Sequence, residues 1–179
     1  MRIIAGEAKG RRLKAPKDHG TRPMQDRIKE AVFSSLGSAV VGANVLDLYA
    51  GTGSMGLEAL SRGASRAVFV ERDRKALTVL RDNCAAVDLG GDVIAGDVAP
   101  FLASGSEAFD LVFVDPPYPD SDESVLTIMT AVGRRTAPDG LVVLHRPVGA
   151  ALPVTESLVL MDERRYGGAQ LWRFKKEST

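Results

Sequence analysis

A single cysteine, Cys84, excludes an internal disulfide and any cysteine-rich zinc site. Histidine is almost as scarce: His19 and His145 are too few and too far apart to suggest a metal centre. No apolar run approaches the roughly 20 residues of a membrane span. The amino end, Met1–Gly6, carries a charge with no apolar stretch behind it, unlike a signal peptide. Net charge is also lacking, with 23 basic residues balancing 23 acidic ones. These absences point to a reducing cytoplasm and away from secreted, membrane-bound or metal-dependent proteins. The length suits one domain with a substantial core.

The zero net charge hides an asymmetry. Residues 1–30 hold nine basic residues (Arg2, Lys9, Arg11, Arg12, Lys14, Lys17, Arg22, Arg27, Lys29) against Glu7, Asp18, Asp26 and Glu30, a net +5. The remainder is correspondingly acidic. A basic arm on an acidic body suggests a polyanion met at one end; a merely solvated tail is the competing reading.

Periodicity sets the architecture. Arg2–Ala5 and Arg11–Leu13, flanking Gly6 to Gly10, predict a short hairpin. Lys14 to Pro23 reads as loop, and Asp26–Leu36 as a helix with Ile28, Val32, Phe33 and Leu36 on one face. A strand over Val45–Tyr49 then leads into a helix running to Arg62, capped by Gly63. Further strands are expected at Ala67–Val70, ending in Glu71, at Asp92–Ala95, at Leu111–Val114 and at Leu141–Leu144 after a Pro138-Asp139-Gly140 turn. Helices fall at Arg74–Val87, at Val98–Ala103 and around Val125, Ile128, Met129 and Val132. Leu158–Met161 and Leu171–Phe174 close the chain as strands joined through Tyr166-Gly167-Gly168, with Trp172 in core or hairpin packing rather than stacking on a base. Such alternation predicts a parallel sheet covered on both faces, with an antiparallel element at one side.

The chain is organised around the turn Tyr49-Ala50-Gly51-Thr52-Gly53-Ser54-Met55-Gly56. A glycine turn between strand and helix sits where open α/β sheets bind nucleotides. Gly51-x-Gly53-x-x-Gly56, with Glu71 about twenty residues on, fits a dinucleotide fingerprint. Asp47, before the first glycine, instead resembles motif I of S-adenosylmethionine (SAM) methyltransferases, where a carboxylate can face a cationic ligand. Asp47, Glu71, Asp97 and Asp115 all fall just past expected strand ends and would line one crevice.

Asp115-Pro116-Pro117-Tyr118 is the most specific signal. Two prolines fix φ and remove two amide donors, leaving a rigid turn with carbonyls free to accept. A fixed carboxylate, a fixed carbonyl and an aromatic ring suit a planar base with an exocyclic amine. Asp115 and the Pro116 carbonyl would accept its two N–H bonds, and Tyr118 would stack on the ring, worth roughly 1–3 kcal/mol. This resembles motif IV of amino-methyltransferases acting on nucleic acid.

A finer resemblance covers nearly the whole chain. Arg2-Ile3-Ile4-Ala5-Gly6, Gly10-Arg11-Arg12-Leu13, Arg22-Pro23, Leu57–Ala64 and Phe113–Tyr118 are similar to the small bacterial RsmD-type enzymes, which methylate N2 of a guanine in 16S ribosomal RNA. The resemblance implies a Rossmann-like α/β methyltransferase fold. Its seven-stranded sheet is mostly parallel with an antiparallel terminal strand, and a small N-terminal hairpin and helix extension precedes it. It implies SAM as cofactor and 16S rRNA or the small ribosomal subunit as partner, with a monomeric enzyme expected. Asp47, Gly51, Thr52 and Gly53 would cradle the methionine part of SAM, Glu71 would hold the ribose hydroxyls, Asp97 would lie by the adenine, and Arg72 would also bind the cofactor. Asp115, Pro116, Pro117 and Tyr118 would hold the target base and carry the chemistry, with Asp115 also beside the cofactor. Arg2, Lys9, Arg11, Arg12, Lys14, Arg22 and Arg27 would meet RNA. Residues 1–42 would form the RNA-contacting extension and residues 43–179 the methyltransferase domain. Two departures stand out. Met24 replaces a threonine expected after Arg-Pro, removing a hydroxyl. His145-Arg146 replaces a Val-Glu type pair, removing an acid and adding a candidate phosphate contact. The alternatives are a DNA adenine or cytosine amino-methyltransferase, an NAD-dependent oxidoreductase and a non-catalytic RNA-binding assembly factor.

Overall fold

The computed structural model describes residues 1–15 and 26–178. Lys17, His19, Arg22 and Met24 lie outside the described residues, as does most of the expected Lys14–Pro23 loop. The strands are β1 (Asn44–Leu48), β2 (Arg66–Glu71), β3 (Asp92–Ala95), β4 (Phe109–Val114), β5 (Thr136–Pro147), β6 (Leu158–Tyr166) and β7 (Ala169–Lys176). The helices are α1 (Asp26–Leu36), α2 (Ser54–Ser61), α3 (Arg74–Val87), α4 (Val98–Ser104) and α5 (Asp122–Arg135). One seven-stranded sheet runs in the order β3-β2-β1-β4-β5-β7-β6. The first five strands pair in parallel, and β7 lies antiparallel between β5 and β6. This is the expected Rossmann-like architecture.

Strands β1, β2 and β4 are buried on both sides because helices cover both faces. One core gathers Val45, Phe69, Phe113 and Val143 under α1, α2 and α3. The other gathers Leu46, Val70, Val112 and Leu144 under α4 and α5, with Trp172 and Phe174. Trp172 is core as expected, its Nε1–H donating to Glu163 Oε2 at 3.1 Å. Helix starts are set locally. Asp73 Oδ1 accepts the Ala76 N–H at 2.8 Å, and Ser121 Oγ accepts that of Ser124 at 3.2 Å.

Several expected limits shift for physical reasons. β1 ends at Leu48 because Tyr49 turns to φ 58°, in the left-handed region. Asp47 lies inside β1, as it already did in the expected Val45–Tyr49 strand, and Glu71 is the last residue of β2, so neither falls just beyond a strand end. The terminal strands are longer than expected, since the polar run Asp162–Arg165 pairs along β7 although its side chains are not apolar. The Asp139 turn is absorbed into β5, with Asp139 at φ 61°. The amino-terminal hairpin has a single bridge, Arg2 to Arg12.

That hairpin is fastened to α2 and α3. Ile3 and Leu13 join the α1–α3 core. Glu58 accepts the Ile4 N–H at 2.7 Å and the Ala5 N–H at 3.0 Å. Lys29, fully buried, pairs with Glu58 at 3.3 Å and donates to the Arg2 carbonyl at 2.6 Å. Burial pulls the Lys29 pKa down from its ordinary value, while Glu58 resists. Arg11 donates to the Ala86 and Val87 carbonyls, a cation placed on the C-terminus of α3.

Candidate active site

Parallel strands bring their carboxyl ends to one edge, and the strand order reverses between β1 and β4, where α/β sheets bind ligands. Glycine turn, Glu71, Asp97 and Asp115 all open there.

The glycine turn is built by close approach. Gly53 adopts φ 78°, and a Cβ on it would lie 2.4 Å from Leu80 Cδ1. A Cβ on Gly56 would lie 2.3 Å from Phe69 Cε1. Gly56 therefore seats α2 on the sheet rather than touching a ligand. Gly53 is the N-cap of α2 and has no side chain to accept the orphan N–H groups. Asp47 supplies that acceptor from β1, taking the Gly56 N–H at 2.9 Å.

Asp47 is almost completely buried, and this pushes its carboxyl pKa up to about 8, with nearby Asp115 and Glu71 adding to the rise. A buried carboxyl among other carboxylates suits a cationic group placed beside it. Glu71 is differently placed. Its Oε1 accepts the Arg72 and Asp73 N–H groups, each at 2.8 Å, and its Oε2 accepts the Gly51 N–H at 2.8 Å. A carboxylate has about four acceptor positions, so one remains for a hydroxyl. Thr52 is tied through its carbonyl, which accepts from Asn83 Nδ2 at 3.0 Å. The same amide binds Lys14, accepting its N–H at 2.8 Å and donating to its carbonyl at 3.1 Å.

Beside these groups lies an open cleft of about 400 Å³ lined by Tyr49, Arg72, Asp97, Pro100, Asp120 and Ile128. This volume is within the range of small-molecule sites. Arg72 bonds Asp97 at 3.1 Å across it. Tyr49 escaped the sequence reading as a site residue. Its signal is a bulky residue between a buried strand and a glycine turn, where left-handed backbone is costly. Partial burial pushes its hydroxyl pKa up to about 12.

The Asp115–Tyr118 turn follows β4 directly and is braced by β5. Arg146 donates to the Pro117 carbonyl at 3.2 Å and the Asp120 carbonyl at 2.6 Å, and it faces Asp122 at 3.5 Å. His145 Nδ1 meets Asp115 Oδ1 at 2.7 Å. The Tyr118 ring stands edge-on to His145, centroids 6.1 Å apart, and is itself 54% exposed, open to stacking. The expected phosphate contact at His145-Arg146 is thereby corrected. Both side chains are buried and bonded to the Asp-Pro-Pro-Tyr turn, out of reach of a backbone phosphate. Sequence spacing gave no sign of this pairing.

The basic residues divide. Arg11 is committed to α3 and Lys14 to Asp82 at 2.8 Å, whereas Lys9, Arg12 and Arg27 project into solvent. Arg2 is mostly exposed, 3.8 Å from Asp26. Arg22 lies outside the described residues. Cys84 packs against the α1–α3 core; burial pushes its thiol pKa up to about 11, which makes it inert as a nucleophile.

The sequence profile of the family described as "Conserved hypothetical protein 95" matches residues 1–175. The Ribosomal RNA small subunit methyltransferase D of Escherichia coli (strain K12) is 41% identical over 119 residues, 66% of this chain and 60% of that protein. The protein of the same name from Haemophilus influenzae is 31% identical over 172 residues, 93% of this chain and 89% of that one. The solved structure of yhhF from Escherichia coli superposes with a TM-score of 0.88 at 33% identity, covering 100% of this chain and 99% of the other.

Proposed function

The chain belongs to the Conserved hypothetical protein 95 family, and from that premise we propose that it transfers a methyl group from SAM to the exocyclic N2 amine of a guanine in small-subunit ribosomal RNA. The observation that carries the reading is the Asp-Pro-Pro-Tyr turn. It is rigid, set at the sheet's switch point, and its carboxylate and ring are held from behind by β5. Relatives named as ribosomal RNA methyltransferases support the substrate class.

The residues fit SAM. A buried carboxyl beside a glycine turn suits the cationic methionine end, and the acceptor left on Glu71 suits a ribose hydroxyl. Tyr49, Arg72 and Asp97 line a cleft wide enough for the adenine. When bound, SAM supplies a methyl group on a cationic sulfur, an already activated donor. The protein's own part is positioning and electrostatics. Asp115 and the Pro116 carbonyl hold the amine, whose lone pair is otherwise delocalised into the ring. Tyr118 captures the base after it leaves its stack. Lys9, Arg12 and Arg27, with Arg2, meet surrounding phosphates, which position the RNA without choosing the base. On this reading residues 1–42 are the RNA-contacting extension of a methyltransferase domain spanning 43–179.

The test is nucleoside mass spectrometry of small-subunit rRNA from cells with and without the protein. It is joined to methylation of that RNA in vitro with labelled SAM. Loss of one N2-methylguanine, restored by the pure protein, is the expected result. Methylated adenine or cytosine without N2-methylguanine would overturn it.

A further inference from the structure

The motif's carboxylate has a partner that the motif does not contain. Asp115 Oδ1 is taken by His145 Nδ1 at 2.7 Å, while Asp115 itself keeps 42% of its side-chain surface exposed. His145 comes from the neighbouring strand, is 94% buried at the side chain, and its Nε2 has no hydrogen-bond partner among the described residues. An imidazolium here would bury a second N–H with nothing to receive it, which is costly. Neutral histidine avoids that cost by leaving Nε2 bare and carrying its hydrogen on Nδ1, where a carboxylate can only accept. In that form the Nδ1–H of His145 donates to Asp115 Oδ1. The same imidazole ring carries Tyr118 on its edge, and the next residue, Arg146, holds the turn's carbonyls.

We propose that His145 is a positioning residue for methyl transfer: it occupies Asp115 Oδ1, fixes the carboxylate's rotation, and so reserves Oδ2 for the amine of the target base. This rests on the functional reading above. The amine lone pair forms the N–C bond while the C–S bond breaks, its electron pair remaining on sulfur. The nitrogen, now cationic, gives one proton to Asp115 Oδ2, and that carboxyl passes it to water through its exposed side. Without His145 the carboxylate can rotate, and neither the hydrogen bond to the amine nor the proton's destination is fixed. Misplacement of a reacting group by about 1 Å can cost on the order of a hundredfold in rate.

Three variants test this with small ribosomal subunits from cells lacking the protein, and with unmodified 16S rRNA transcript, as substrates. His145→Leu removes the donor at similar volume. His145→Asn restores an N–H close to the Nδ1 position, and His145→Gln carries its N–H one bond too far. The expectation is a fall in kcat of roughly ten- to a hundredfold for Leu and Gln. KM for RNA and Kd for SAM should be unchanged, and Asn should recover most of the rate. A structural role alone would move stability and both binding constants together and would not separate Asn from Gln. Equal kcat in Asn and Gln variants, or wild-type kcat in the Leu variant, overturns the proposal. If the Leu variant does not fold, the Asn–Gln pair decides. If the unmutated protein makes no N2-methylguanine on either substrate, the functional reading has failed rather than the role of His145.

Discussion

Replacing Asp47 by asparagine should make the protein more stable and a worse ligand-binder at once. Asp47 is buried, and its carboxyl pKa of about 8 stands well above the ordinary aspartate value near 3.9. An acid whose folded pKa is raised favours the protonated folded state. Stability is therefore undiminished below about pH 4 and is lost as pH rises towards the folded value. The loss is about 1.4 kcal/mol per pH unit while folded and unfolded chains differ by one proton. At pH 7, about three units above the ordinary value, it amounts to about 4 kcal/mol. Asparagine removes this loss and still accepts the Gly56 N–H. Its second amide hydrogen finds no designed acceptor there, a cost of about 1–3 kcal/mol. Asp47→Asn should therefore gain about 1–3 kcal/mol at pH 7 by these two terms, and the gain should vanish or reverse near pH 5. Urea unfolding of both proteins at pH 5, 6, 7 and 8 measures the difference, in which every other titrating group cancels. Calorimetry should show SAM bound about 1.5–3 kcal/mol more weakly, since a charge-assisted contact is lost. A stability difference that does not change between pH 5 and 8 would refute the reasoning.

Glu71→Ala should weaken SAM binding by roughly 1.5–3 kcal/mol. It should also lower thermal stability, because it frees three backbone N–H groups; unchanged SAM affinity in the folded variant would remove the ribose assignment. Asp115→Ala should keep SAM binding by calorimetry and lose most turnover, whereas Tyr118→Ala should raise KM for RNA and Tyr118→Phe should be mild. Near-normal turnover in Asp115→Ala would remove the amine contact. Substituting Lys9, Arg12 and Arg27 together by alanine should flatten the slope of log RNA affinity against log salt by about 2, at ~0.7 per contact on single strands. Arg11→Ala should instead lower the unfolding midpoint with little change in that slope. Glu58→Ala should destabilise by about 3–5 kcal/mol in urea unfolding, since it leaves Lys29 charged and buried without its carboxylate; a cost below 1 kcal/mol would show that the Glu58–Lys29 pair does not hold the arm.

The parallel core was legible because its strands are short apolar runs separated by helices with clear periodicity. The arrangement of the last two strands was less so. Order within a sheet is a long-range property, and the second half of β6 is the consecutive charged run Asp162–Arg165, which does not mark a strand by hydrophobicity. At the site, the glycine turn and the Asp-Pro-Pro-Tyr turn were visible because each is contiguous in sequence. His145 with Asp115 is thirty residues apart and comes from a different strand, so only the β4–β5 register brings them together. Lys29 looked like one more charge in a basic arm. It is instead the counterion of Glu58, and the arm's net charge overstates what it can offer a polyanion.

The hairpin is synthesised before the elements that fasten it. The backbone N–H groups of Ile4, Ala5 and Ala8 find their acceptors on Glu58 and Ser61, and Arg11 finds its own on Ala86 and Val87. These partners are made 53 to 76 residues later. At ~5–20 residues per second, the arm waits roughly 3–15 s in water with Ile3 and Leu13 exposed. For that interval its flanking charges, Arg2, Lys9, Arg11, Arg12 and Lys14, keep a nascent apolar segment soluble, a service that ends when α2 and α3 arrive.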